Sequence, residues 1–396
     1  MKPTKIENAI IVRNKTRLEQ LTAQYNTIDQ AKFYIKKSQE VYKQKKGSSL
    51  GFKSEFDNKK MAFSNQENTI NQTYKPIKQI GFDNSKSFSE NPKFRNPQNM
   101  KIGFIKDKRQ HQQQIQQQAQ QKNITNDFSD YEEESSEFNN SLNKIIKQLS
   151  GILKVKVIEQ DFLSNYIFTK NDLVIVVGQD GLVANTAKYL DNIPIIAINP
   201  DRSRYDGVLL PFTPDNFMEA VHNVLNNNYL SKKITMAEVR LNDDQRLLAF
   251  NDFYIGVSSH SSARYQIIYN NITENQSSSG IIVSTGAGAT GWMSSIFNMV
   301  NGMIGAFSRN MPINKYDISQ EDEKLLFAVR EPFISKTSQA GIVAGVINKG
   351  EYLTIESFMP KNGIIFSDGI HTDFLKFNSG ATAEIGIAPE KAILVV

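Results

Sequence analysis

The sequence predicts an α/β domain built on a doubly wound, mostly parallel sheet, followed by a mostly-β domain. Three observations carry this expectation. The runs Ala9–Val12, Leu173–Val177 and Ile195–Ile198 are apolar without alternation, as strands buried on both faces are. Segments of helical spacing lie among them, and strands alternating with helices favour a parallel sheet. Beyond about Thr235, short strand-like runs separated by turn residues take over, which favours antiparallel pairing.

In chain order, Ala9–Val12 opens the first domain. Helical spacing follows, with Leu18, Leu21 and Tyr25 on one face and Ala31, Phe33, Tyr34 and Ile35 later. Residues 47–127 are rich in Asn, Gln, Ser and Lys and poor in branched aliphatics. Such a composition buries too little apolar surface to offset its ordering entropy, so a disordered insertion is expected there. Three Gly-Phe pairs within it (Gly51-Phe52, Gly81-Phe82, Gly103-Phe104) read more readily as chance than as docking motifs. A helix over 131–149, strands Val155–Val157, Leu173–Val177 and Ile195–Ile198, and a helix over Asp215–Leu225 complete the first domain. It therefore comprises 1–46 and 128–235. The second domain, 236–376, takes strands from Met236–Leu241, Leu247–Ile255, Ile281–Ser284, Leu325–Val329, Tyr352–Ser357 and Ile364–Phe366. Segment 377–396 is read as packing back on the first domain.

Composition narrows the function. The chain has no cysteine, which excludes a disulfide framework, a thiolate metal site and a cysteine nucleophile. His111, His222, His260 and His371 show no metal-ligand spacing. No apolar run approaches the length of a membrane span. Met1–Lys5 leads almost directly into a strand-like run with no signal-peptide core, so a soluble, cytoplasmic setting is expected. The net charge of +5 is local: residues 47–127 carry thirteen Lys/Arg against seven Asp/Glu, an excess of six. The charge therefore gives no support to specific nucleic-acid binding.

The most informative stretch is Gly178-Gln179-Asp180-Gly181. It ends an apolar strand and opens a helical pattern carrying Val183, Ala187 and Leu190 on one face. A strand, a glycine turn and a helix N-terminus present outward N–H groups and a favourable dipole to phosphate. Asp180 then stands at the carboxyl end of a strand, where open α/β sheets bind ligands. Asp-Gly also occurs in turns for backbone reasons alone, so this motif by itself leaves an ordinary turn open. A second glycine cluster, Ser284 to Ser295, again follows an apolar run and offers the hydroxyls of Thr285, Thr290 and Ser295. Trp292, the only tryptophan, suits either stacking on a base or packing, and packing is favoured. Between the two clusters, Asn251-Asp252 interrupts an otherwise apolar strand, as a bulge or edge or as a pair reaching into a cleft for a sugar's hydroxyls.

Taken together these residues resemble the NAD kinase family. That family carries a Gly-Gly-Asp-Gly turn, then an Asn-Glu or Asn-Asp pair, then a Ser-Thr-Pro-Thr-Gly-Ser-Thr-Ala-Tyr stretch. Here they occur in order as Gly178–Gly181, Asn251-Asp252 and Ser284–Trp292. Phe366-Ser367-Asp368-Gly369, Gly380 and Ala383–Ile387 match the closing pattern. The likeness spans about 6–46 and 128–396. Departures are Gln179 for the second glycine, Gly286 for Pro, Ala289 for Ser, Gly291 for Ala and Trp292 for Tyr. The family's Asn-x-Gly-x-x-Gly-Phe-Leu loop is replaced by Asn199-Pro200-Asp201 and Asp206–Phe212.

The resemblance implies transfer of the terminal phosphoryl of ATP to the 2′-hydroxyl of the adenosine ribose of NAD, giving NADP, usually with Mg²⁺. It implies that Asp180 orients or deprotonates the attacking hydroxyl. Gly178 and Gly181 border the phosphates, and Asn251 and Asp252 bind the nicotinamide-side ribose. By the same resemblance Thr290, Trp292 and Ser295 would line the adenosine end, and Thr285 would be a further nucleotide-binding residue. It implies no protein metal ligand, small-molecule nucleotide partners, no membrane, and self-association into a homo-oligomer. Two alternatives share the motifs: a lipid kinase of diacylglycerol or sphingoid-base type, and a catalytically silent nucleotide-binding protein. Asn251-Asp252 suits a sugar better than an acyl chain. Asp180 and Asn251 are residues a decayed site would tend to lose.

Overall fold

In the computed structural model, residues 5–37, 128–307, 312–370 and 372–396 are described. The segment 47–127, His111 and His371 lie outside them. The chain divides into two units, Thr16–Ser135 and the combination of Met1–Lys15 with Ser136–Val396.

In the smaller unit, helix α1 (Arg17–Tyr25) starts from a capping box. The Thr16 hydroxyl accepts from the Glu19 N–H, and the Glu19 carboxylate accepts from the Thr16 N–H at 2.7 Å. Asn26, at φ 65°, ends it.

In the larger unit, strands β1 (Asn8–Arg13), β2 (Lys154–Glu159), β3 (Asp172–Val177) and β4 (Pro194–Ile198) run parallel in the order β2-β1-β3-β4. All six residues of β3 are buried. Their side chains alternate between two cores, as the strand pleat requires. Val174 and Val176 pack with Leu182 and Val183 of helix α3 (Asp180–Ala187). Leu173, Ile175 and Val177 pack with Phe138, Leu142 and Ile145 of helix α2 (Phe128–Leu149) and with Phe217 and Val221 of helix α4 (Phe217–Leu225). Helices therefore cover both faces, which is the doubly wound arrangement. Each such Val or Ile side chain contributes about 2 kcal/mol through apolar burial. The N-terminal ends of β1 and β3 are tied by polar contacts too: the Asp172 carboxylate accepts from Asn8 Nδ2 at 2.8 Å and from the Thr169 N–H at 2.8 Å.

Strand β16 (Thr382–Val395) continues this sheet. Its end, Ile393–Leu394, pairs parallel with β4. Its length pairs antiparallel with β5 (Ser231–Leu241) and, at Leu353 to Glu356, with β13 (Leu353–Ser357). Among the described residues the resulting sheet has ten strands. A second, antiparallel sheet has the order β12-β11-β10-β7-β14-β15, with β12 (Ala344–Asn348) and β15 (Phe374–Lys376) at its edges. Its central members are β7 (Asp252–Val257), β10 (Ile281–Ser284), β11 (Lys324–Val329) and β14 (Gly363–Ser367). Its inner face packs Phe253, Ile255, Val283 and Phe327 against Val239 and Tyr265 of the first sheet. Its outer face is covered by helix α5 (Trp292–Phe307), with Met293 buried against Tyr254, Ile282 and Leu326.

Two expectations are corrected. The run Leu247–Ile255 is two strands rather than one. Strand β6 (Arg246–Ala249) pairs with β5 in the first sheet, while β7 belongs to the second. The chain changes sheet at Phe250-Asn251, because Asp368 holds the backbone N–H groups there. Residues 263–278, which the strand expectations passed over, form a hairpin of β8 (Ala263–Tyr269) and β9 (Ile272–Ser278). Its turn is Asn270-Asn271, both at positive φ (50° and 62°), the two-residue geometry that asparagine tolerates.

Candidate functional site

Strand β3 delivers the first motif. Val177 ends the strand, and the Gly178 N–H donates to the Ile198 carbonyl at 3.3 Å. Gln179 is the N-cap of α3, with an extended backbone and no side-chain capping bond; its side chain is exposed. The Leu182 N–H donates back to the Gln179 carbonyl at 2.9 Å. The N–H groups of Asp180 and Gly181 have no acceptor among the described residues, and Gly181 is exposed. A helix start with open N–H groups suits phosphate.

Asp180 does more than the sequence suggested. Its carboxylate accepts the Leu209 N–H at 2.8 Å and the Val208 N–H at 3.1 Å, so it also shapes the 207–209 loop. A carboxylate has about four acceptor sites, so two remain for a ligand hydroxyl. Asn185, missed in the sequence, reaches back to the Gly181 carbonyl at 2.9 Å, and its own side-chain oxygen is buried without a partner. A polar residue inside the apolar Leu182–Ala187 run was the available signal.

The second motif sits where the chain changes sheets. The Asp368 carboxylate accepts three backbone N–H groups: Phe250 at 3.0 Å, Asn251 at 2.6 Å and Asp252 at 3.2 Å. In return the Asp368 N–H donates to the Asp252 carbonyl at 2.9 Å. With their backbones held, the side chains of Asn251 and Asp252 accept or donate no hydrogen bond among the described residues. Asn251 is half-buried and Asp252 is buried. Burial, and then the nearby Asp368 charge, push the Asp252 carboxyl up to about 7. Burial likewise pushes Asp368 up, against the pull of Lys188 and of the three N–H groups.

The third motif folds onto the second. The Thr285 N–H donates to the Asn251 carbonyl at 2.9 Å, and its hydroxyl donates to the Phe250 carbonyl at 2.6 Å. The Gly288 N–H donates to that same hydroxyl at 3.3 Å. Thr285 is fully buried, so the structure places it as a strut under the turn. A Cβ on Gly288 would lie 2.2 Å from the Asn251 carbonyl oxygen, and one on Gly286 would lie 1.8 Å from the Ser319 carbonyl oxygen. Close backbone approach is therefore what these two glycines allow. Thr290 and Ser295 are exposed, with the Ser295 hydroxyl donating to the Gly291 carbonyl at 3.3 Å. Trp292 stacks on Tyr254 at 5.9 Å and 5° between planes, and the Arg330 guanidinium lies 5.5 Å from its ring centroid. Its ring is engaged in packing.

The three motifs meet. Leu182 and Val183 of α3, Phe250 and the partly buried Ala287 share one apolar cluster. At the other end of α3, Lys188 Nζ donates to the Ser367 hydroxyl at 2.8 Å, beside Asp368. Two surface depressions, one around Gln24 to Tyr34 and one around Glu238 to Lys391, are lined by none of the site residues. Among the described residues no group of three or more His, Asp or Glu side chains converges as a metal cage would require.

An α/β unit whose strand ends in a glycine–aspartate turn is thus continuous with a β sandwich bearing the Asn-Asp corner. No family model matches the chain. It is 32% identical over 163 residues to the NAD kinase of Buchnera aphidicola subsp. Baizongia pistaciae, covering 39% of this chain and 54% of that protein. It is 29% identical over 164 residues to the NAD kinase of Saccharolobus islandicus strain M.14.25, covering 41% and 59%. The chain thus spans between half and two thirds of the length of these curated relatives. Among solved structures it is similar to yeast NADH kinase complexed with NADH (TM-score 0.48, 14% identity, 65% and 79% covered). It is also similar to an NAD kinase from Archaeoglobus fulgidus in complex with ATP (TM-score 0.43, 17% identity, 65% and 88% covered). In sequence the chain is therefore similar to curated NAD kinases over part of their length. Among the described residues no helix is long and apolar enough to cross a membrane.

Proposed function

We propose that the chain is an NAD kinase, moving the terminal phosphoryl of ATP to the 2′-hydroxyl of the adenosine ribose of NAD and releasing ADP and NADP. The observation that carries this reading is the meeting of three distant motifs at one corner. They are an open helix N-terminus at Asp180-Gly181, a backbone-pinned Asn251-Asp252 pair with unengaged side chains, and the glycine loop hydrogen-bonded to that pair. Curated relatives named NAD kinase support it.

Phosphoryl transfer asks mainly for positioning and for neutralisation of charge. In this reading the N–H groups of Asp180 and Gly181 hold phosphate oxygens. Asp180, fixed by the Val208 and Leu209 N–H groups, accepts the proton of the attacking 2′-hydroxyl as the new P–O bond forms and the bond to ADP breaks. Asn251 and Asp252 receive the ribose hydroxyls on the nicotinamide side. Thr290 and Ser295 line the adenosine end. Thr285 braces the loop from beneath, and Trp292 packs on Tyr254. With no protein cage among the described residues, Mg²⁺ would arrive on the nucleotide's phosphates, where it supplies neutralising charge. A cytoplasmic setting and a homo-oligomer belong to the same proposal.

The discriminating experiment offers labelled ATP to NAD, NADH, diacylglycerol and sphingosine in parallel. Label in the 2′-phosphate of NADP or NADPH is the expected outcome. Label in lipid, or NAD binding without transfer to any acceptor, would overturn the reading.

A further inference from the structure

The Asp180 helix ends in a group that the proposed reaction does not use. Lys188 caps α3 at its C-terminus, two turns from Asp180, with a side chain only 2% exposed. A lysine this buried needs partners. Its Nζ donates to the Ser367 hydroxyl at 2.8 Å and lies 3.9 Å from Asp368 Oδ2, whose side chain is 1% exposed. Asp368 is the carboxylate that accepts the N–H groups of Phe250, Asn251 and Asp252. Because β6 and β7 belong to different sheets, the turn between them has no ladder to satisfy those N–H groups. One carboxylate supplies all three acceptors.

We propose that Lys188 and Asp368 form a buried positioning pair, in which the Lys188 cation keeps Asp368 an acceptor-only carboxylate and so sets the backbone that aims Asn251 and Asp252. The inference rests on the proposed function for its consequence in NAD binding, and on geometry alone for the pair. An ionised carboxylate accepts at every site, whereas a protonated one turns an O–H toward one of the N–H groups. Burial drives Asp368 toward protonation, and Lys188 is the first influence opposing it, ahead of the backbone donors. Burial lowers Lys188 in turn, and Asp368 and then Asp373 raise it. The charged and titratable groups around the pair are Asp252, Asp373 and Tyr189. Tyr189 donates its hydroxyl to Asp373 at 2.5 Å. The helix C-terminus also favours a cation at Lys188. One helix thus carries the candidate base at its start and the support for the ribose-binding pair at its end.

The test compares wild type, Lys188→Met and Lys188→Arg by amide hydrogen exchange and by NAD kinetics across pH. In Lys188→Met, exchange at Phe250–Asp252 is expected to rise about tenfold or more, with Val174–Val176 of β3 unchanged. The KM for NAD rises about tenfold while that for ATP moves less than about twofold, and the acid limb of NAD affinity shifts up by about one pH unit. Lys188→Arg restores most of both. Exchange at Phe250–Asp252 within about twofold of wild type, with an unmoved acid limb, would overturn the pair. If Lys188→Met does not fold, Asp368→Asn takes its place. Its amide aims a donor at one of the three N–H groups, so the same faster exchange is expected and its absence is equally fatal. A wild type that makes no NADP defeats the kinase reading, while the exchange arm still decides the pair.

Discussion

Two aspartates carry the candidate site, and their surroundings are opposite. Asp180 is half-exposed at a helix start, and its carboxylate is held by two loop N–H groups. Asp252 is buried, its carboxylate has no hydrogen-bond donor among the described residues, and it lies near Asp368 with its carboxyl pushed up to about 7. In Asp180 the side chain is positioned directly. In Asp252 the backbone is positioned, by another carboxylate, and the side chain is left for a ligand. The difference teaches where each residue can act: a charged, fixed group suits proton transfer, and a buried, unengaged one suits hydroxyl recognition.

The sharpest way to break the comparison is Asp180→Asn. Loss of the proposed general base is expected to lower kcat by at least about a hundredfold, with a melting temperature lowered only slightly, by the one loop N–H that the amide leaves unpaired, and a smaller effect on KM for NAD. Steady-state kinetics beside a thermal melt check it. If turnover survives, Asp180 is only a loop anchor.

Gly288→Ala tests the corner from below. The added Cβ meets the Asn251 carbonyl oxygen, a backbone atom, at 2.2 Å. The expected cost is about 1–3 kcal/mol, read by denaturant unfolding, with a matching loss of NAD affinity. A variant as stable as wild type would mean that the loop and the turn are not in this contact.

A gentler probe is pH. An ionised Asp252 accepts ribose hydroxyls better than a protonated one, so NAD affinity is expected to fall about tenfold between about pH 8 and pH 6. Titration calorimetry measures this, and Asp252→Asn should bind more weakly and with a shallower slope, the remainder being set by Asp368. The sign for stability follows from the same shift. Asp252 holds its proton more tightly folded than unfolded, so its contribution to stability is greatest below about pH 4, is lost as pH rises to about 7, and is flat beyond.

The parts of the molecule that local pattern governs were legible in the sequence. Strand β3 and its turn are visible because six consecutive buried residues and a Gly-x-Asp-Gly need no distant partner to be recognised. The break between β6 and β7 was visible only as the polar interruption Asn251-Asp252, because apolar residues flank it on both sides and the cause of the break is Asp368, more than a hundred residues away. The β8–β9 hairpin was passed over for a different reason. Gln266, Asn275, Gln276 and Ser277 dilute its alternation, and its Asn-Asn turn lacks glycine. At the site, Asp180, Asn251 and Asp252 were picked out as polar residues in apolar surroundings. Thr285 and Trp292 were singled out with them, yet only packing reveals that their polar or aromatic surfaces are already engaged. Asp368 stood out only as part of the Phe366–Gly369 motif, and Lys188 gave no signal; that the two are buried together is visible only in the fold.

The most direct measurement of the central claim is NADP formation by the purified chain with ATP, Mg²⁺ and NAD, followed with an NADP-specific dehydrogenase and repeated with Asp180→Asn. Steady NADP production by wild type, lost in the variant, is the expected result. No NADP from a folded, NAD-binding wild type, or equal production by the variant, would contradict the assignment of this corner as the place where phosphoryl transfer occurs.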